Sequence, residues 1–285
     1  MALPTFYILG AQKCGTTWLA SMLRQHPQIF IPRRKEVHFF NVAENYARGR
    51  VWFESHFSLC DRAVAIGDAT PDYLAVTWTE ESAKVIPRIH ALTPDAKFIV
   101  CVRDPVTRAV SALLHHIRAG RLSPWVDLDV QFDLILSGRQ PTHGVLEFGR
   151  YGRQVSLFLC QFPIDRFRFL VYEQDIVRNK RETLRDVCRF LDVQTDFDFR
   201  RLDVLRNPSL QTRMGLVLAQ FYPFPRGMRL VWWAERLRGG KLLSISDDTA
   251  RRLYRYYQSD TAELTAIIGR NLDKWWFKGA GDADK

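Results

Sequence analysis

The sequence predicts a single α/β domain: a central, mainly parallel sheet flanked by helices, a P-loop-like phosphate-binding loop near the N-terminus, and a helical C-terminal part. Three observations predict it. The apolar run Phe6 to Leu9 leads through a glycine-bounded loop into an amphipathic stretch, in the order strand, loop, helix. Short apolar runs alternate with segments of helical period as far as residue 191, as successive βα units do. No repeat, linker or low-complexity stretch interrupts that alternation, so residues 1–278 read as one domain. The tail 279–285 holds little that could pack and is expected to be disordered.

Gly10 opens the loop, and Gly15-Thr16-Thr17 leads into Trp18-Leu19-Met22-Leu23. Such a turn aims several backbone N–H groups and a helix N-terminus at one point, which suits a phosphate. Gly10 and Gly15 have the spacing of the triphosphatase pattern G-x-x-x-x-G-K-[ST], but Thr16 stands where that pattern needs lysine. The nearby lysine, Lys13, lies inside the loop. The glycine pair alone fits an ordinary strand–turn–helix with a solvated lysine equally well. Gln12-Lys13-Cys14-Gly15-Thr16-Thr17-Trp18-Leu19 also resembles the 5′-phosphosulfate loop of sulfotransferases, commonly K-x-G-T-T-x-L. Those enzymes use 3′-phosphoadenosine 5′-phosphosulfate (PAPS) and release 3′,5′-ADP (PAP). The resemblance implies that Gln12, Lys13, Cys14, Gly15, Thr16, Thr17 and Trp18 hold the donor and that Lys13 takes part in transfer.

The first helix is expected from Thr16 to Gln25, and a short strand from Gln28 to Ile31 is cut by Pro32. In Arg33-Arg34-Lys35-Glu36-Val37-His38-Phe39-Phe40, three cations crowd one carboxylate before an apolar anchor. As a surface ion-pair partner Glu36 would contribute about 0–1 kcal/mol. The stretch is also similar to the family's K-E-x-H-F-F, which implies that Glu36 is the catalytic base. His38 then assists that base, replaces it, or orients the acceptor. A helix is expected over 44–58 and a third strand over 63–66, ending at Gly67-Asp68-Ala69-Thr70-Pro71-Asp72-Tyr73. That segment resembles the family's E-K-S/T-P-x-Y, with Ala69 where heparan-type enzymes place a lysine near the acceptor or phosphosulfate. Asp68 reads equally as a turn or helix cap.

A helix over 80–91 precedes the clearest strand, 96–102, and Arg103 stands at its end. Asp104 before Pro105 has the pattern of an N-cap followed by a first helical proline. Arg103-Asp104-Pro105-x-x-Arg108-x-x-Ser111 resembles the family's R-D-P-x-x-R-x-x-S, which implies that Arg103 and Ser111 bind the donor's 3′-phosphate. A guanidinium suits that task because it donates bidentately. Helices over about 105–120, 128–137, 149–161 and 178–191 accompany a fifth strand, 168–172. Gly149-Arg150-Tyr151-Gly152-Arg153-Gln154 recurs in the family and puts Tyr151 near the nucleotide; a core aromatic is the other reading. Two helices, 246–257 and 259–268, precede Gly269-Arg270-Asn271-Leu272-Asp273-Lys274-Trp275, which resembles the family's ending. Asn207 to Arg213 resembles a bacterial stretch that closes over the site. Residues 221–233, dense in Pro, Trp, Phe, Met and Arg, read as an acceptor flap, a membrane-surface patch, a partner contact or a small second core.

Composition narrows the ligand. The net charge of +10, 41 Lys+Arg against 31 Asp+Glu, suits a polyanion. The excess is spread along the chain with no basic tail, which favours a nucleotide over nucleic acid. Cys14, Cys60, Cys101, Cys160 and Cys188 are odd in number, widely spaced and without C-x-x-C, as in a reduced, cytoplasmic protein. No signal peptide is evident, and no run approaches the roughly 20 apolar residues of a membrane span. Adjacent His115 and His116 cannot share a helix face, and no H-E-x-x-H occurs, so no metal is expected. The resemblance therefore implies metal-free, in-line transfer of sulfuryl from PAPS to a hydroxyl or amine of a small-molecule, lipid or glycan acceptor. Two rivals share parts of the pattern: an ATP- and Mg²⁺-dependent small-molecule kinase, and a non-enzymatic protein that binds an anionic glycan or membrane. The sequence sets neither the acceptor nor an oligomeric state.

Overall fold

The computed structural model describes residues 2–33, 35–60, 63–204, 212–221, 231, 242–272 and 276. Arg34, most of 207–213, most of 221–233, Trp275 and the tail 279–285 lie outside the described residues, and so do the expectations placed on them.

In chain order the elements are β1 (Phe6–Gly10), α1 (Thr16–Leu23), β2 (Ile29–Phe30), α2 (Ala43–Tyr46), α3 (Gly49–Ser55), β3 (Ala65–Asp68), α4 (Glu80–Ala83) and α5 (Val85–Leu92). There follow β4 (Lys97–Val102), α6 (Pro105–Arg118), α7 (Leu128–Leu136), α8 (Tyr151–Leu159), β5 (Phe167–Val171), α9 (Lys180–Phe190), α10 (Arg213–Phe221) and α11 (Asp247–Ile268). The sheet order is β2-β3-β1-β4-β5, and every pairing is parallel. All of β1 is buried, and so is β4 from Phe98 onward, as strands covered on both faces must be. The chain builds outward from β1 on one side through β3 and on the other through β4. Their shared carboxyl ends form the topological switch point, where such sheets hold ligands.

One core surrounds the sheet, with Phe98 packed on Phe158, Phe162 and Phe167. A second lies among α6, α7, α10 and α11, built from Val106, Leu113, Ile117, Phe132, Leu216 and Tyr257.

The structure corrects four boundaries. The helix expected over 44–58 is two, parted where Gly49 takes a left-handed φ of 79°. The helix over 80–91 is also two: Pro87 has no N–H and is tolerated only in a first turn, so α5 starts anew at Val85. The third strand lies two residues later than expected, at Ala65–Asp68, which brings Asp68 into the sheet. The two C-terminal helices are one, α11, capped by Ser246 and ended by Gly269 at φ 63°. Ser259-Asp260 looked like a fresh helix start, but Asp260 caps a neighbour. Its carboxylate accepts from the N–H groups of Gly152 and Arg153, both at 3.0 Å, in the first turn of α8. Gly152 permits that approach, since a Cβ there would stand 2.4 Å from the Asp260 carbonyl oxygen.

Candidate active site

The loop after β1 is tied to the next strand: Ala11 N–H donates to the Cys101 carbonyl of β4 at 2.7 Å. Lys13 and Gly15 both take left-handed backbone, at φ 70° and 87°. At Gly15 a side chain would also meet Ile176 and Tyr172 at 2.9–3.0 Å. Gly15 stands at the N-cap of α1, and no side chain caps that helix among the described residues. The first amides of α1 and its dipole therefore face a cleft, as an anion site requires.

That cleft has a volume of about 600 Å³. Gln12, Lys13, Gly15, Thr16, Thr17, Trp18, Glu36, Arg103 and Ser111 all line it. Four separate stretches of sequence thus meet in one place. Arg103 leaves the end of β4 beside the loop, donates Nη1 to the Lys13 carbonyl at 3.3 Å, and lays its guanidinium over the Tyr172 ring at 4.7 Å. Its buried Nε has no hydrogen-bond partner among the described residues. Asp104 caps α6 as its sequence implied, accepting from Thr107 N–H at 2.6 Å, and this fixes the helix that carries Ser111.

Cys14 and Tyr151 do not line the cleft. Cys14 is buried behind the loop with its Sγ 3.4 Å from the Tyr151 hydroxyl, itself 1% exposed. Burial pushes the Cys14 thiol up to about 11, so it packs as a neutral thiol. The pair supports the loop from within.

Glu36 and His38 both hold left-handed backbone, at φ 72° and 53°, an uncommon state for such residues. The structure shows what holds them there. Asp68, 1% exposed at the end of β3, accepts from the Thr70 hydroxyl at 2.7 Å and the Tyr73 hydroxyl at 2.9 Å. Those hydroxyls in turn accept from the backbone N–H of Val37 (3.1 Å) and Phe39 (2.9 Å), the residues on either side of His38. Asp68 is therefore neither a turn cap nor a cleft residue. It clamps the segment that presents Glu36. Burial pushes its carboxyl up to about 6, against the pull of the two hydroxyls.

His38 stands behind Glu36, Nε2 to Oε2 3.4 Å, with its Nδ1 toward the Asn41 side chain. Burial raises the Glu36 carboxyl. The His38 hydrogen bond and the Lys35 charge outweigh it, leaving Glu36 below the usual carboxylate range. Burial lowers the His38 imidazole, but Glu36 and Asp72 outweigh that and hold it above its ordinary value. Lys13 is drawn down to about 8, first by burial and then by Arg118 and Arg103.

Several cleft residues were not anticipated. His115 and Arg118 lie four and seven residues past Ser111 on α6, hence on one face with it, and that spacing was a usable signal. Burial and then the Lys13 charge push His115 down to about 3, so it is a neutral imidazole. Leu202–Val204 form part of the far wall, with the Trp18 indole donating to the Leu202 carbonyl at 2.9 Å. No periodicity marks that irregular segment.

A parallel sheet with a glycine loop leaving β1 and an arginine leaving adjacent β4 at the switch point defines a P-loop-like α/β fold. The family model for the sulfotransferase domain matches residues 3–211, and the chain belongs to the PAPS-dependent sulfotransferase family. A sulfotransferase structure from Alicyclobacillus acidocaldarius is 26% identical, with a TM-score of 0.70 over 96% of this chain and 99% of that one. Human heparan sulfate glucosamine 3-O-sulfotransferase 6 is 31% identical over 171 residues, 60% of this chain and 47% of that protein. The membrane-associated sulfotransferase kil1 of Dictyostelium discoideum is 36% identical over 114 residues, 39% of this chain and 22% of that protein. The matches thus span less than half the length of these curated relatives.

Proposed function

We propose that this chain moves the sulfuryl group of PAPS onto a hydroxyl or amine by in-line displacement at sulfur, without a metal. The observation that carries this is the convergence of Lys13, Glu36, Arg103 and Ser111 on one cleft. An uncapped helix N-terminus and an arginine whose buried Nε has no partner among the described residues fit an anion with phosphates at both ends. PAPS supplies an activated sulfuryl group on a good leaving group.

The chain's own residues do the rest. Lys13 and the amides of Gly15, Thr16 and Thr17 hold the 5′-phosphate and stabilise charge that develops on it. Arg103 and Ser111 hold the 3′-phosphate and so set the donor's distance and orientation. Trp18, Ile176, Val177 and Leu202 offer apolar walls for the purine. Glu36, ionised at neutral pH, takes the proton of the attacking acceptor, and His38 holds its second oxygen. Cys14 and Tyr151 back the loop.

The names of the heparan relatives favour a glycan as acceptor; lipid and small-molecule acceptors belong to the same proposal. Ala69 leaves out a lysine of heparan-type enzymes. All five cysteines are free thiols, which supports a cytoplasmic site of action. Among the described residues no helix is long and apolar enough to cross a membrane.

The test is a mass-spectrometric screen of acceptor pools incubated with protein and either PAPS or ATP, each in EDTA and in Mg²⁺. A gain of one sulfuryl group from PAPS, equal in EDTA and in Mg²⁺, is expected. A gain of one phosphoryl group from ATP, only in Mg²⁺, would move the chain to the kinases.

A further inference from the structure

Lys35 has entered so far only as a charge beside Glu36, yet its ammonium also reaches back across the loop. Its Nζ donates to the Thr17 hydroxyl at 3.0 Å and lies 3.5 Å from the Thr16 hydroxyl. On the other side it stands 3.6 Å from Glu36 Oε1. The side chain is only 14% exposed. The segment that carries it is anchored at both ends. Arg24 donates to the carbonyls of Ile31 and Pro32 before it, and Val37 N–H is held by Thr70 after it.

The positions of those two threonines matter. In G-x-x-x-x-G-K-[ST], counted from Gly10, Thr16 takes the place of the lysine and Thr17 that of the hydroxyl that binds Mg²⁺. Here that hydroxyl oxygen accepts from an ammonium instead. One protein cation thus covers both positions through which a triphosphatase loop neutralises a transferring group. It also borders the residue assigned as base, and so lies between that base and the loop.

We infer that Lys35 is a catalytic cation of the transfer, its ammonium contacting the oxygens of the transferring sulfuryl group in the seat a metal ion takes in triphosphatase loops. This rests on the reading of the cleft as a PAPS site. In the step, the acceptor oxygen or nitrogen forms a bond to sulfur and its proton goes to Glu36. The bond between sulfur and the 5′-phosphate oxygen breaks, and its electron pair leaves on that oxygen. Lys35 neither gives nor takes a proton. It offsets charge on the sulfuryl oxygens while Lys13 and the loop amides offset charge on the departing phosphate. Thr17 and Glu36 fix its position beforehand.

The test uses calorimetry with no acceptor present, comparing PAPS with 3′,5′-ADP, which lacks the sulfuryl group. Lys35→Met keeps the unbranched stem of the side chain, one atom shorter, and removes the charge. It is expected to bind 3′,5′-ADP within about twofold of wild type, to bind PAPS several-fold more weakly, and to turn over roughly 10²-fold more slowly. Lys35→Arg is expected to keep the preference for PAPS, and Lys35→Gln serves if the methionine variant does not fold. Equal loss of both nucleotides would make Lys35 a prop for the loop and overturn the inference. So would wild-type affinity for PAPS with wild-type turnover in Lys35→Met. If wild type itself binds neither nucleotide, the reading of the cleft fails, and the role of Lys35 with it.

Discussion

At the scale of single residues the account rests on charge held in place. Glu36 is kept ionised by His38 and Lys35. Glu36→Gln preserves size and removes the proton acceptor, so calorimetry should find 3′,5′-ADP binding retained while transfer falls by about 10²–10⁴-fold. Near wild-type transfer in that variant would pass the role of base to His38. Lys13 gives a pH signature. Its pKa is lowered from 10.5 to about 8, so it loses its charge as pH rises through about 8. Since kcat/KM reports the free enzyme, its alkaline limb for the donor should fall near pH 8, and Lys13→Arg should move that limb upward. A profile flat to pH 10 would detach Lys13 from the chemistry. That Lys13, Glu36, Arg103 and Ser111 meet in one cleft could be expected from the sequence, because each sits in a short pattern with its own physical reason. Lys35 was legible only as one of several cations around Glu36. Its reach to Thr17 depends on how the segment after β2 is held, and no local pattern encodes that.

At the scale of elements, β3 supplies a clamp rather than a cleft residue. Losing the Asp68 carboxylate leaves the Thr70 and Tyr73 hydroxyls without their buried acceptor and frees the backbone of Val37 and Phe39. Asp68→Ala should destabilise the fold by about 1–3 kcal/mol by denaturant titration. Asp68→Asn, which keeps one acceptor oxygen, should lower kcat more than it raises the KM for the donor, because the clamp orients Glu36 and not the nucleotide. A variant with only its donor KM altered would contradict the clamp. Asp260 acts at a distance in the same way: Asp260→Ala uncaps α8 and should cost about 0.5–2 kcal/mol. Both aspartates misled a local reading, for one reason. A short carboxylate beside a turn or a serine looks like a cap for its own chain segment, whereas Asp260 caps amides 107 and 108 residues away, and Asp68 acts through hydroxyls whose own partners lie 33 and 34 residues from them.

At the scale of the whole molecule, the sheet order makes the site. Lys13 and Arg103 are far apart in sequence, and they meet because β1 and β4 are neighbours at the switch point. Alternating strands and helices made a parallel sheet legible; they do not state which strands are adjacent. The family resemblance joined the glycine loop and Arg103 in one donor site, but the adjacency of β1 and β4 comes from the structure. The far wall at Leu202–Val204 carried no such signal, since an irregular segment is placed by what it packs on, here the Trp18 indole. The central claim is that this junction grips a nucleotide through its 3′-phosphate without a metal. Thermal melting in EDTA tests it most directly. Excess 3′,5′-ADP should raise Tm, 5′-AMP should do so much less, and Arg103→Ala should abolish the difference. Equal stabilisation by both nucleotides, or stabilisation only after Mg²⁺ is added, would contradict it.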